Sequence, residues 1–132
     1  MAELTHILLA TDGSRDAREA FRTAMRLALA VRARLTLLSV VEHAGSDQPG
    51  EPEDLAGGCE AFRREALEAG VRSVRTLVES GLAYSRILSV ATRECADLIV
   101  VGARGLGRHD SPLGDTAEQV AKFATCPVLI VR

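Results

Sequence analysis

Aromatic residues are scarce: the chain has no tryptophan, one tyrosine and three phenylalanines in 132 residues. The apolar load therefore rests on alanine, valine, leucine and isoleucine, whose compact side chains suit helices lying closely on a sheet. A basic face is also missing, because sixteen lysines and arginines are scattered among eighteen acids for a net charge of -2. Nothing in that pattern tracks a phosphate backbone, so a nucleic-acid partner is not expected. No apolar run approaches the roughly 18 residues that span a bilayer, which argues against membrane insertion. The opening Met1-Ala2-Glu3-Leu4-Thr5-His6 has no basic stretch leading into an apolar one, and a cytoplasmic location is expected. The three cysteines, Cys59, Cys95 and Cys126, form no CxxC pair. They read as plain buried or half-buried thiols rather than zinc ligands or a disulfide framework. His6 and His43 have no serine or cysteine nucleophile near them in sequence, so exposed or packing roles are expected for both.

What is present is alternation. His6 to Thr11 is a short apolar run closed by Asp12-Gly13-Ser14, the signature of a buried strand ending in a tight turn. Apolar residues then recur at helical spacing as Ala17, Ala20, Phe21, Ala24, Leu27, Ala28 and Val31, with Ser14 or Asp16 able to cap the start. Leu35 to Val41 is a second β-prone run, continuous in the way of a strand covered on both faces. From 44 to 58 the chain is polar and rich in glycine, proline and acids, and reads as a flexible surface loop within one domain spanning 1–132. A helix is expected from Cys59 to Ala69, and an edge strand within Val71 to Glu79. A third helix runs along Tyr84, Ile87, Leu88, Val90 and Ala91, and a strand over Leu98 to Val101 leads into a glycine-rich loop. A last helix over about 115–123 and a strand over 127–132 complete the order. Five strands alternating with four helices predict an α/β fold with an open, doubly wound parallel sheet, Rossmann-like, helices on both faces. In such sheets ligands lie beyond the carboxyl ends of the strands, where strand order reverses.

Four segments, in this order, carry a resemblance along nearly the whole chain. They are Ile7 to Ser14, Ala96 to Gly107, Leu113 to Val120 and Pro127 to Arg132. Together they resemble the universal stress protein family. The resemblance implies a strand order of 3-2-1-4-5 and, in the nucleotide-binding members, ATP lying over the first and fourth strand ends. Carried over, it implies that Thr11, Asp12 and Val40 meet adenosine, and that Gly102, Arg104, Gly105, Gly114, Asp115 and Thr116 surround ribose and phosphates. Glycine there lets the backbone approach closely, and a helix start presents free N–H groups to an anion. The implied cofactor is ATP or AMP, with magnesium accompanying it.

The chain departs from the family's ATP-binding pattern at the phosphates. That pattern has nine residues between its second and third glycines and then serine or threonine; here eight separate Gly105 from Gly114, and Asp115 follows. A hydroxyl donates to phosphate, whereas a carboxylate only accepts. Asp115 also stands at capping-box spacing from Glu118. A carboxylate about 4 Å from a phosphate costs roughly 1 to 4 kcal/mol, one to three decades in affinity. Arg104, Arg108 or His109 would offset part of that cost, and Thr116 is the next available hydroxyl. Three functions compete: a non-catalytic adenine-nucleotide-responsive stress module, a nucleotide-independent module for a protein partner not yet identified, and a weak ATP hydrolase or autophosphorylating protein using Ser111. No catalytic triad or metal cluster is visible, which disfavours the third. The last strand, Val128 to Val131, is wholly apolar and falls at a sheet edge, so a homodimer through it is expected.

Overall fold

The computed structural model describes residues 3–11, 17–41, 52–103 and 115–132, with side chains for all of these except 52–58 and 115. Its elements are β1 (His6–Ala10), α1 (Ala17–Val31), β2 (Arg34–Val41), α2 (Pro52–Ala69), β3 (Val74–Ser80), α3 (Ala83–Arg93), β4 (Leu98–Gly102), α4 (Asp115–Phe123) and β5 (Val128–Val131). The strands form one sheet in the order β3-β2-β1-β4-β5, and each of the four pairings is parallel. The doubly wound α/β fold read from the sequence is therefore the observed one.

Period-two alternation divides the sheet's side chains between two cores. Ile7, Leu9, Leu35, Leu37 and Val100 point to the face covered by α1 and α2, among Ala20, Phe21, Ala24, Cys59 and Phe62. Leu8, Ala10, Leu38, Val40, Ile99 and Val101 point to the opposite face, against Ile87 and Val90 of α3 and Val120 of α4. Covering on both faces is why β1, β2 and β4 have no exposed polar stripe: their apolar residues are shared between the two cores, and His6, Thr36 and Ser39 are buried as well. Phe21 and Phe62 stack with centroids 4.3 Å apart and join α1 to α2. Arg18 closes that contact from outside, its guanidinium 5.9 Å from the Phe62 centroid and 2.9 Å from Glu65.

Three helices end in the same way. Arg32, Gly70 and Cys95 take positive φ values of 58°, 109° and 56° directly after α1, near the end of α2 and after α3. The following amides of Ala33, Val71 and Ala96 donate to Ala28, Ala66 and Ala91 at 2.9, 3.0 and 2.9 Å. These are Schellman closures, in which a left-handed residue lets the chain turn back and satisfy a terminal carbonyl. Cys95 is exposed at its turn, so the expectation that all three thiols are buried or half-buried fails there: the position is dictated by the turn and not by packing.

The expected loop over 44–58 is corrected in its second half. Residues 44–51 lie outside the described ones, but α2 already begins at Pro52. A proline costs nothing in a first helical turn, where its missing N–H would have had no partner. The glycines at 57 and 58, which drew the sequence reading toward a loop, are carried inside the helix.

Candidate functional site

The parallel sheet brings the carboxyl ends of β1, β2 and β4 to one edge. Ala10 lies beside both Leu38 and Val101 in register, and the Thr11 amide extends β1 by donating to the Leu38 carbonyl at 2.8 Å. Thr11 is buried at 1 % exposure. Val40, two residues beyond Leu38, is buried on the α3/α4 face. Gly102 ends β4, paired with Val131, and the next amide, of Ala103, donates to the Val131 carbonyl at 2.7 Å. The connections from β1 run outward through β2 to β3, while β4 lies on β1's other side. The β1/β4 boundary is thus the switch point of the sheet, the place where a crevice opens in doubly wound folds.

Right-handed β-to-α crossovers start α4 at this same edge. Its first residue is Asp115, and Thr116 is buried at 8 % exposure. Of the residues carried over by resemblance, Thr11, Val40, Gly102 and Thr116 share this edge with the backbone of Asp115. Asp12, Arg104, Gly105 and Gly114 lie outside the described residues.

One element at the edge was missed by the sequence reading, which took Gly81 only as a break. Gly81 has φ 133°, and its amide donates to the Val41 carbonyl at 2.9 Å, fixing the start of α3 beside the end of β2. The N-cap of α3 is Leu82, which supplies no side-chain hydrogen bond. An apolar cap is unusual, since serine, threonine, asparagine and aspartate fill this place in most helices. The signal available in the sequence was Gly81-Leu82-Ala83, a helix entry without a polar cap.

Elsewhere the titratable groups serve the fold. His6 is 1 % exposed; its Nδ1–H donates to the Glu94 carbonyl at 2.9 Å. Nε2 then accepts from the Thr36 hydroxyl at 2.7 Å. Burial is the main cause holding the His6 pKa below its ordinary value, with the Arg34 charge adding to it, so the ring is neutral and packed, one of the two roles expected for it. Asp97 accepts from the Thr5 amide, the Thr5 hydroxyl and the His6 amide at 3.0, 2.8 and 2.9 Å. Those bonds, the Thr5 hydroxyl first, hold its carboxyl below the usual range. Both groups stand at the amino edge, across the sheet from the switch point. Burial pushes the Cys59 thiol up, against a 2.8 Å hydrogen bond with Ser39. Burial and then the Asp97 charge do the same to Cys126, so neither is a ready thiolate. Among the described residues no three His, Cys, Asp or Glu side chains are grouped to hold a metal ion, and no helix is long and apolar enough to cross a membrane.

The fold is that of a doubly wound α/β domain whose strand order reverses at the β1/β4 boundary. The universal stress protein family model matches residues 3–132, and the chain belongs to that family. It is similar to a universal stress protein of Thermus aquaticus, 40% identical and covering 96% of this chain and 97% of the other. A Synechocystis universal stress protein is 35% identical, over 95% of this chain and 83% of that one. Among solved structures, a Lactobacillus plantarum universal stress protein is 28% identical with a TM-score of 0.76, each chain covered completely. Two more share the fold: a universal stress protein in complex with cAMP, at 24% identity, TM-score 0.76 and 99% coverage of each chain, and one from Archaeoglobus fulgidus in complex with dAMP, at 18% identity, TM-score 0.79 and coverage of 99% and 100%.

Proposed function

We propose that this chain is a non-catalytic, cytoplasmic stress-response module that takes an adenine nucleotide, ATP or AMP with magnesium, at the carboxyl edge over β1 and β4. The observation that carries the reading is the reversal of strand order at β1/β4, where the ends of β1, β2 and β4 lie side by side and the Thr11 amide bonds to the Leu38 carbonyl. The complexes of similar folds with cAMP and dAMP support an adenylate as the ligand class. In this reading Asp12, Thr11 and Val40 meet the adenosine end, while Gly102, Arg104, Gly105, Gly114 and Thr116 surround the phosphates at the start of α4. Asp115 sets the affinity, because its carboxylate competes with phosphate for the same helix amides. The module acts as a homodimer through β5, an apolar edge strand whose four residues are each partly exposed.

Thermal unfolding with ATP, ADP or AMP and magnesium, on protein first freed of copurified nucleotide, tests the proposal. Ligand at about 100 times Kd stabilises by about 2.7 kcal/mol, several degrees for a domain of this size. Asp115→Ser tightens binding by roughly one to three decades. A second reading is favoured by the eight-residue spacing and Asp115 themselves: a nucleotide-independent interaction module that has lost its phosphate grip. It predicts no shift with any adenylate, in the native chain or in Asp115→Ser. ATP turnover or a phosphorylated Ser111 would overturn both in favour of an enzyme. A monodisperse monomer in light scattering at micromolar concentration would remove the dimer.

A further inference from the structure

At the amino edge of the sheet, three neighbouring connections are tied together by backbone hydrogen bonds. The Arg34 amide donates to the Thr5 carbonyl at 3.0 Å and the Leu35 amide to the Ser73 carbonyl at 2.9 Å. An open hollow of about 300 Å³ forms there, lined by Thr5, Arg32, Arg34, Arg72 and Ser73, with room for about ten waters. Arg32 and Arg72 also line an adjoining hollow beside Gly70. No Asp or Glu lines either one. Ion pairs among the described residues engage Arg18, Arg22, Arg63, Arg75 and Arg93, and none engages the three arginines of the hollow. The helix ends beside them do not employ these guanidinium groups, because the Schellman closures after α1 and α2 already turn backbone amides onto the terminal carbonyls. The Thr5 hydroxyl is committed to Asp97, which leaves the guanidinium groups and the Ser73 hydroxyl as donors.

We propose that the hollow formed by Arg32, Arg34, Arg72 and Ser73 is a second anion site, for a free compact oligophosphate, on the edge of the sheet opposite the nucleotide crevice. Three cations without acidic partners match an anion of several charges, and guanidinium forks suit phosphate oxygens. The room exceeds what a single phosphate fills. A nucleic-acid backbone is the poorer fit, because only three of the sixteen basic residues meet at this hollow and the rest are scattered among acids on a chain of net charge -2. The site is independent of the nucleotide reading and stands whether or not ATP binds.

Calorimetric titration of inorganic tripolyphosphate into the purified full chain tests it. Binding is expected with a sub-millimolar Kd at about 50 mM salt, weakening steeply at about 200 mM. The double variant Arg34→Gln/Arg72→Gln should bind about tenfold or more weakly. Arg32→Gly removes a guanidinium from a left-handed position, so it should weaken binding while raising the unfolding temperature, separating the site from the fold. His6 is a local reporter: it is buried beside the Glu94 carbonyl and Asp97 and feels the Arg34 charge. An anion seated on Arg34 offsets that charge, and the imidazole then protonates at higher pH in NMR titrations. No binding at low salt overturns the site. So does binding that survives the arginine variants or that leaves His6 unmoved.

Discussion

The two edges of the sheet are built from the same strands yet use their polar groups in opposite ways. At the amino edge, His6, Thr36, Thr5 and Asp97 bond to one another and to the backbone at 2.7–3.0 Å, and no buried side-chain nitrogen or oxygen among the described residues lacks a partner. At the carboxyl edge stand the first turns of the helices, where four amides per helix have no partner within it and the backbone dipoles leave partial positive charge. One edge fastens strands with side-chain hydrogen bonds, and the other carries the helix N-termini. Parallel topology imposes this division, because every right-handed crossover begins its helix at the same edge.

Substitutions sharpen the contrast. His6→Ala should have the largest effect, about 2–4 kcal/mol, because it opens a cavity and strands the Thr36 hydroxyl. Chemical denaturation would measure it, and an equal loss from Asp115→Ser, where serine is as good at a helix start as aspartate, would erase the distinction between the edges. Asp97→Asn should cost about 1–2 kcal/mol, at the low end because the carboxylate is partly open to solvent.

The pH profile of unfolding separates the same two groups. His6 binds its proton less readily folded than unfolded, so its contribution is full above the ordinary 6.5 and is lost as pH falls through the lower folded value. Asp97 is likewise lowered, from an ordinary 3.8, so its contribution is full above that value and is lost only in stronger acid. Stability should therefore fall in two acid steps, with Asp97→Asn abolishing the second. Cys95→Gly has the smallest effect, a gain of up to about 1 kcal/mol from relieving a left-handed non-glycine turn, read as a rise of about 3–5 °C in Tm.

Much of this fold was legible because its signals are local. Continuous apolar runs such as Leu35 to Val41 identify strands covered on both faces, and the stripe from Ala17 to Val31 identifies a helix on a sheet, since a residue's neighbours along the chain fix both periods. The start of α2 was not legible: two glycines and a run of acids outweighed one proline, and only packing against β2 and β3 sustains a helix of that composition. The candidate site was proposed from glycines and Asp115 in sequence, but the apolar N-cap of α3 at Leu82 was not noticed, and it gains meaning only when Gly81 bonds to Val41 across the edge. The spacing of apolar residues and glycines determined by itself the order of elements and the sheet's parallel character, while the reading of Gly105 to Asp115 as an altered phosphate segment rests on the family resemblance. Tertiary structure alone decided that His6, Thr36, Glu94 and Asp97 form one network and that Arg32, Arg34 and Arg72 face a common hollow. The physical reason is that such contacts join residues dozens of positions apart, and no local pattern records which distant strands lie side by side.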